Sequence, residues 1–382
     1  MDYSSVKPMK TAIVGCGAIS EVFFKNFTER FRIIDLVSCC SKGGASAEDK
    51  ARRFDVKCST LEEILADPEI ELIVNLTPAS QHESIIRAGL EAGKHVYTEK
   101  VITPDFRRAK ELHELARARG LWLAGEPDHF LGSVWQCARE LVDAGAIGQV
   151  TSVVASVAEN MSGAADHIGF INEPGGGIGF DYGIYLVAQL VALLGPAVEV
   201  SGLMETRFPT RTHRDVRHRA FGQDYQYVNE DLVAGTIRFA GGAVATIHLN
   251  GDSIMEVPPV FLVYGTLGAL SLPSPSMFSG ESKLYRAGNF ESAPLMPAHG
   301  FDHDSRGVGA AEMAWAIRLG REPRASAAFG LHCQEILEGI RESGRSGRSY
   351  RLTTACERPE KLPAGYRGIK IFSYDEEGSL VF

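Results

Sequence analysis

The chain is short of the features that mark several protein classes. Across 382 residues, no uninterrupted apolar stretch reaches membrane-spanning length. It has no run or stripe of lysine and arginine, and its net charge of −9 argues against a polyanionic partner. Neither nucleic acid nor a membrane is therefore expected as a partner. With no C-x-x-C and no H-E-x-x-H, no metal is expected. The cysteines, at 16, 39, 40, 58, 137, 333 and 356, are odd in number and irregularly spaced. Several lie in apolar runs and read as small buried hydrophobes in a reducing compartment. The opening eight residues are polar and carry no signal-peptide core, so a cytoplasmic location is expected.

What is present reads as an ordinary globular chain, 45% hydrophobic and 23% charged. Its length exceeds the roughly 250–300 residues at which single cores stop growing. Two domains are expected, 1–126 and 127–382. The first opens on an apolar strand, Thr11 to Val14, followed at once by Gly15-Cys16-Gly17-Ala18-Ile19 and a helical pattern. Strand, glycine turn and helix in that order form a dinucleotide site: Gly15 permits the turn, Gly17 lets backbone approach a pyrophosphate, and the helix start supplies free N–H groups. The third fingerprint position is Ser20, so the pattern is incomplete.

A second strand, Ile33 to Ser41, ends without the acid that grips a ribose 2′-hydroxyl in NAD readers. Asp35 lies too early, and Ser41-Lys42 suits a 2′-phosphate. NADP is favoured over NAD. Strands at 56–59, 71–76, 95–98 and 121–124 then alternate with helices at 46–54, 60–66, 82–93 and about 105–119. That alternation implies a parallel, doubly wound sheet whose ligands lie beyond the strand carboxyl ends. Gly15–Gly17, Ser41, Thr77–Pro78, Glu99–Lys100 and Glu126–Asp128 then share one crevice.

Beyond residue 127 the pattern changes. Strands at 151–158, 198–207, 232–239, 243–249, 260–264, 269–272 and 283–285, with hairpin signals, imply a mainly antiparallel sheet with one open face. Residues 161–179 read as a loop, 181–194 as an apolar helix, and about 310–319 and 327–342 as late helices. The tail from Arg345 reads as a wrap over existing surface. Three places carry chemistry. Lys100, at a strand's carboxyl end, can hold a hydroxyl oxygen and lower its pKa. Asp181 and Tyr185, four apart at a glycine-rich helix start, offer a carboxylate and a phenol on one face. The glycines at 175–179 make a pliable approach to a ligand. His167, in a polar and aromatic loop, can contact a polyhydroxylated substrate.

G-C-G-A-I near the N-terminus, N-L-T-P-A-S-Q-H at 75–82, A-G-K-H-V-Y-T-E-K at 92–100 and G-G-G-I-G-F-D-Y-G-I-Y at 175–185 together resemble the Gfo/Idh/MocA family. The resemblance covers most of the chain. It implies an N-terminal Rossmann domain, a C-terminal α+β domain with an open-faced sheet that builds a homodimer or homotetramer, and NAD(P)-dependent oxidation or reduction of sugars and cyclitols. Lys100 matches the family's catalytic lysine, Asp181 its substrate-orienting aspartate, and Tyr185 a position held by histidine or tyrosine. Thr77, Pro78 and His82 match the turn past the nicotinamide ribose. Gly15, Cys16, Gly17, Ala18, Ile19, Ser41, Lys42 and Glu99 complete the expected cofactor contacts, and Asp128 and His167 the substrate contacts. Val101 replaces the family's proline after Lys100. Cis bonds are essentially a proline property, so the cis geometry is not expected to carry over.

The expected mechanism is hydride transfer with Tyr185 as acid or base. Lys100 would hold the reacting oxygen and depress the tyrosine pKa, while Asp181 fixes a neighbouring hydroxyl. Two alternatives are an NAD-retaining glycoside-cleaving enzyme that works by transient oxidation, and a non-catalytic dinucleotide-binding protein.

Overall fold

Short β-branched and aliphatic runs between amphipathic helices build the first layer structure. A computed structural model describes residues 6–363 apart from 256, 289–290 and 297–298, together with the backbone of 373–374 and 380–381. Six parallel strands are β1 (Met9–Val14), β2 (Ile34–Cys40), β3 (Lys57–Cys58), β4 (Leu72–Asn75), β5 (His95–Thr98) and β6 (Leu123–Gly125). Between them run α1 (Ser20–Glu29), α2 (Ala45–Phe54), α3 (Leu61–Ala66), α4 (Ala79–Glu91) and α5 (Phe106–Ala118). The strand order β3-β2-β1-β4-β5-β6 reverses direction between β1 and β4 and puts the switch-point crevice there. Capping matches the sequence: Thr60 and Glu63 form a reciprocal box on α3, and Asp105 accepts from the Arg107 and Arg108 N–H groups of α5. Helix α4 starts directly after Pro78, three residues before the expected His82, because proline presets the backbone and gives up an N–H that a helix start leaves unpaired.

The second part runs α6 (Ser133–Asp143), β7 (Val150–Ala158), α7 (Met161–Ala165), α8 (Ile184–Leu194), β8 (Ala197–Glu205), β9 (Thr210–Thr212), β10 (Asp224–Gln226), β11 (Leu232–Phe239), β12 (Val244–Asn250), β13 (Val260–Gly265), β14 (Gly268–Ser271), β15 (Lys283–Arg286), β16 (Ala293–Pro294), α9 (Val308–Arg318), α10 (Ala327–Ser346) and β17 (Tyr350–Arg351). Nine strands form one sheet, β16-β15-β14-β13-β7-β12-β11-β8-β17, antiparallel except for the β12–β7 pair. The expected β11–β12 hairpin is present, closed by Phe239 N–H donating to Ala243 O at 2.9 Å.

Three elements differ from the sequence reading. The expected loop at 161–179 contains α7 and a 3₁₀ turn at Gly169–Asn172. The hairpin arm β9–β10 was not anticipated, because its strands are only three residues long. The helix expected from Asp181 begins as a single π-helical turn, Gly179–Gly183, and becomes α-helical only at Ile184. From Arg345 onward, β17 pairs with β8, and Glu335 on α10 accepts from the Thr353 and Thr354 N–H groups. Residues up to 363 continue over the surface, with Arg358 Nε donating to Ala192 O at 3.3 Å and Leu362 N–H to Gln136 Oε1 at 2.6 Å, and beyond 363 only the backbone of 373–374 and 380–381 is described.

One face of the nine-stranded sheet packs on the helices: Ile340 of α10 fills the space above Gly235 of β11. The other face carries Val154 and Tyr264, which are 41% and 39% exposed, with Leu203 at 45%. Among the described residues, no helix is long and apolar enough to cross a membrane.

Gly15, in the turn after β1, is a tight backbone position beside the first sheet. It holds φ +102°, and a Cβ there would stand 2.7 Å from the carbonyl carbon of Leu76. Gly15→Ala is expected to cost about 2–4 kcal/mol of folding stability in urea titration. An unchanged midpoint would refute this account of the turn.

Candidate active site

The first turn of the crevice, after β1, combines a strained glycine with an open helix start. Gly15 N–H donates to Cys40 O at 2.9 Å, which seats the turn on β2. Cys16 is buried, with its Sγ 3.4 Å from the same carbonyl. Gly17, Ala18 and Ile19 face solvent, a Cβ on Gly17 would meet nothing within 4 Å, and no side chain caps α1. Room beside uncapped N–H groups fits a dinucleotide pyrophosphate. Ser20, standing at the third glycine position, is fully buried and donates through Oγ to Gly17 O at 2.6 Å. The incomplete fingerprint is thus closed by a hydrogen bond within the turn. After β2, Ser41 is half-buried and Lys42 exposed, followed by Gly43 and Gly44 at positive φ.

The turn after β4 is locked from both sides. Thr77 Oγ1 donates to Asn75 Oδ1 at 2.7 Å. His82, fully buried on α4, sets Nε2 2.7 Å from Thr77 O and Nδ1 2.7 Å from Val101 O. One ring therefore links the Thr77–Pro78 turn to the segment that carries Lys100. Burial pushes the His82 pKa down, against the two carbonyls that favour its protonated form. The Lys100–Val101 peptide bond is cis, contrary to the expectation drawn from the valine. His82 holds the carbonyl of the next peptide bond, Val101 O.

Lys100 and Asp181 meet across the two parts of the chain. Lys100 Nζ contacts Asp181 Oδ1 and donates to Asp181 O at 3.0 Å. The same Nζ stands 5.0 Å from the centroid of the Tyr185 ring. Burial opposes the charge on Lys100, but Asp181, Tyr185 and Glu99 outweigh it and raise its pKa. For Tyr185 the balance runs against expectation. Burial raises its pKa, and the lowering by Lys100 and Arg306 offsets this only in part. Resting Tyr185 is a neutral phenol.

The remaining expected substrate residues lie elsewhere in the network. Asp128 is fully buried, and its Oδ2 accepts from Gly309 N–H, at the start of α9, at 2.7 Å. His167 pairs through Nε2 with Asp215 Oδ2 at 2.6 Å, toward the β9–β10 arm. Among the described residues, no hydrogen bond or ion pair joins His167 to the Lys100 group. The glycines at 176–179 serve the protein itself. A Cβ on Gly177 or Gly179 would strike the Glu230 carboxyl, at 2.5 and 2.9 Å, and one on Gly176 would meet Phe170 O at 2.3 Å. Glu230 then accepts from Phe180 N–H at 3.0 Å and fixes the π turn that presents Asp181.

Sequence reading placed Glu126 in the crevice without a role and missed Arg306 and His129. Arg306 is held by its backbone: Asn26 of α1 donates to Arg306 O at 2.9 Å, and Phe23 and Phe27 fill the space above Gly307. Its guanidinium acts on Tyr185, Glu99 and Glu126. His129 sits edge-on to Tyr185, ring centroids 4.7 Å apart. The E-P-D-H run at the end of β6 was a visible signal; nothing local marked Arg306.

Known proteins share this architecture. Residues 9–125 match the model of an oxidoreductase family with an NAD-binding Rossmann fold, and 135–271 match the GFO/IDH/MocA C-terminal domain. The oxidoreductase C115.03 of Schizosaccharomyces pombe is 32% identical over 206 residues, 52% of this chain and 56% of that protein. The NADP(+) D-xylose 1-dehydrogenase of Hypocrea jecorina is 30% identical over 207 residues, 46% and 51% of the two chains. The matched stretch thus spans about half the length of these relatives. A levoglucosan dehydrogenase structure, in complex with NADH and L-sorbose, superposes with a TM-score of 0.78 at 19% identity, over 91% of this chain and 99% of that one.

Lys100 and Asp181 have side chains only 13% and 12% exposed. Removing one partner leaves a buried charge, so Lys100→Met is expected to cost about 3–5 kcal/mol in chemical denaturation. Adding Asp181→Asn should restore part of that loss. Additive losses would show that the pair does not act as a unit.

Proposed function

The chain belongs to the Gfo/Idh/MocA oxidoreductase family, and on that premise we propose that it moves a hydride between a nicotinamide and a secondary alcohol or ketone carbon of a sugar, glycoside or cyclitol. The observation that carries this reading is the Lys100–Asp181–Tyr185 group, beyond the carboxyl end of β5 and two strand positions from the Gly15–Ile19 turn. The substrate class is supported by the xylose and levoglucosan dehydrogenases among the similar proteins.

A bound dinucleotide supplies or accepts the hydride. The chain's own residues do the rest. Lys100 holds the reacting oxygen. Tyr185 gives that oxygen a proton in reduction and removes one in oxidation. Asp181 keeps Lys100 charged and directed, and offers its carboxylate to a neighbouring hydroxyl. His82 keeps the Thr77–Pro78 turn and Lys100 at a set separation. His167 serves the substrate from the outer wall, whereas Asp128, sealed beneath α9, supports the site from behind. Because burial keeps Tyr185 protonated, the resting site is prepared to donate to a carbonyl oxygen.

NADP is the favoured cofactor. Ser41 and Lys42 stand at the end of β2, while Asp35 is exposed near its start, in register with Lys10 of β1. The open sheet face supports a homodimer or homotetramer. Val154, Leu262, Tyr264, Thr246 and Leu203 share that face by register, and partly apolar open faces are commonly covered by a second copy.

Calorimetry with NADPH and NADH side by side tests the cofactor reading. Tighter NADPH binding, weakened about tenfold in Lys42→Ala with NADH little changed, is expected for a lost phosphate contact. Tighter NADH binding would refute it. A panel of sugars and cyclitols tests the reaction. Tyr185→Phe should lower the rate by roughly 10²–10⁴ with dinucleotide affinity nearly unchanged, and a wild-type rate would remove Tyr185 from the chemistry.

A further inference from the structure

Behind Tyr185 lies a sealed group of titratable side chains that the proposed chemistry leaves unused. Glu126, Asp128 and His129 are 5%, 0% and 0% exposed. Tyr97 Oη donates to Glu126 Oε1 at 3.1 Å, and Asp128 N–H donates to Glu126 Oε2 at 2.9 Å. His129 Nδ1 lies 3.5 Å from Asp128 Oδ1 and 3.8 Å from Glu126 Oε2. Asp128 Oδ1 and both nitrogens of His129 have no hydrogen-bond partner among the described residues. The imidazole is stacked on Phe278 at 4.2 Å and set edge-on against the Tyr185 ring at 4.7 Å, so it touches the phenol ring and lies beside the two carboxyls.

The charge count decides what such a group can do. The groups acting on it are Tyr97, Glu99 and Lys100 from the end of β5, Tyr185 from α8, and Arg306 from the segment before α9, whose guanidinium is itself paired with Asp304. Glu99, Glu126 and Asp128 stand near two cations, Lys100 and Arg306, that are already paired with Asp181 and Asp304. Like charges this close do not all ionise in a dry wall. Burial raises Glu126 well above the usual range and pushes Asp128 up to about 6, the latter against the Gly309 N–H that stabilises its charged form. Burial also holds His129 neutral, so it can accept at one nitrogen while it donates at the other.

We propose that Glu126, Asp128 and His129 form a proton-holding cluster that reloads Tyr185 after it protonates the substrate oxygen. This rests on the reading of Tyr185 as the acid. In reduction, the Tyr185 O–H bond breaks as the substrate O–H bond forms. The phenolate then takes a proton by way of His129 from the Glu126–Asp128 pair, and the carboxylate left behind regains one from solvent. No electrons move in these steps, and in oxidation they run in reverse. Glu126, Asp128 and His129 are positioning residues that act through Tyr185, and the cluster biases the site toward carbonyl reduction.

Infrared spectroscopy of the intact protein at pH 7 tests the cluster without substrate. The carbonyl stretch of a protonated carboxylic acid is expected in the wild type and lost in Glu126→Gln. No such difference would overturn the proposal, as would a stoichiometric divalent cation found by metal analysis and lost in Asp128→Asn. The second readout is the pH profile of kcat for carbonyl reduction. Asp128→Asn keeps an oxygen for Gly309 N–H, so the α9 cap survives. That variant and His129→Gln should lower kcat about tenfold or more above neutral pH, with KM unchanged and the loss smaller in acid. A wild-type profile in both variants would overturn the proposal. The infrared band with no carbonyl compound reduced would count against the proposed reaction and not against the proton store.

Discussion

The ion pair between Lys100 and Asp181 is the constraint on which the site depends. It joins residues 81 apart in sequence, one at the carboxyl end of a parallel strand and the other in a π turn of the second part. Both side chains are largely withdrawn from water, and each makes the other's charge tolerable. The pair therefore registers the two parts of the chain at the candidate site. Tyr185, one turn beyond Asp181, comes to the same ammonium by consequence.

Around that pair the walls are arranged by burial more than by attraction. A phenol, an imidazole and several carboxyls lie within reach of two cations, yet the cost of desolvation sets the protonation state of most of them. Tyr185 stays neutral although Lys100 and Arg306 both act on it. The fold holds Arg306 in place, because Asn26 of α1 grips its backbone from behind.

Several glycines that read as ligand-approach positions are explained by contact within the chain. Gly15 lets the β1 turn lie against the backbone after β4, and Gly177 and Gly179 make room for the Glu230 carboxyl. Gly17 is different: it faces open space beside an uncapped helix. One glycine pattern thus holds two kinds of requirement, and only the positions of the neighbouring atoms separate them.

The sequence by itself determined the parallel sheet and the mainly antiparallel second sheet, and it singled out Lys100, Asp181 and Tyr185 as candidates. Local pattern carries those features: periodicity of apolar residues, caps, glycine turns and short motifs. It did not reveal the β9–β10 arm, whose strands are too short for alternation to register. Nor did it reveal the π turn, which depends on Glu230 arriving from 50 residues away. Tertiary structure alone decided that Asp128 is sealed beneath α9, that the charge of Arg306 acts on Tyr185, and that burial outweighs Lys100 at the phenol. The physical reason is common to all three. Desolvation and long-range charge depend on what surrounds a group in space, and adjacency along the chain does not encode it.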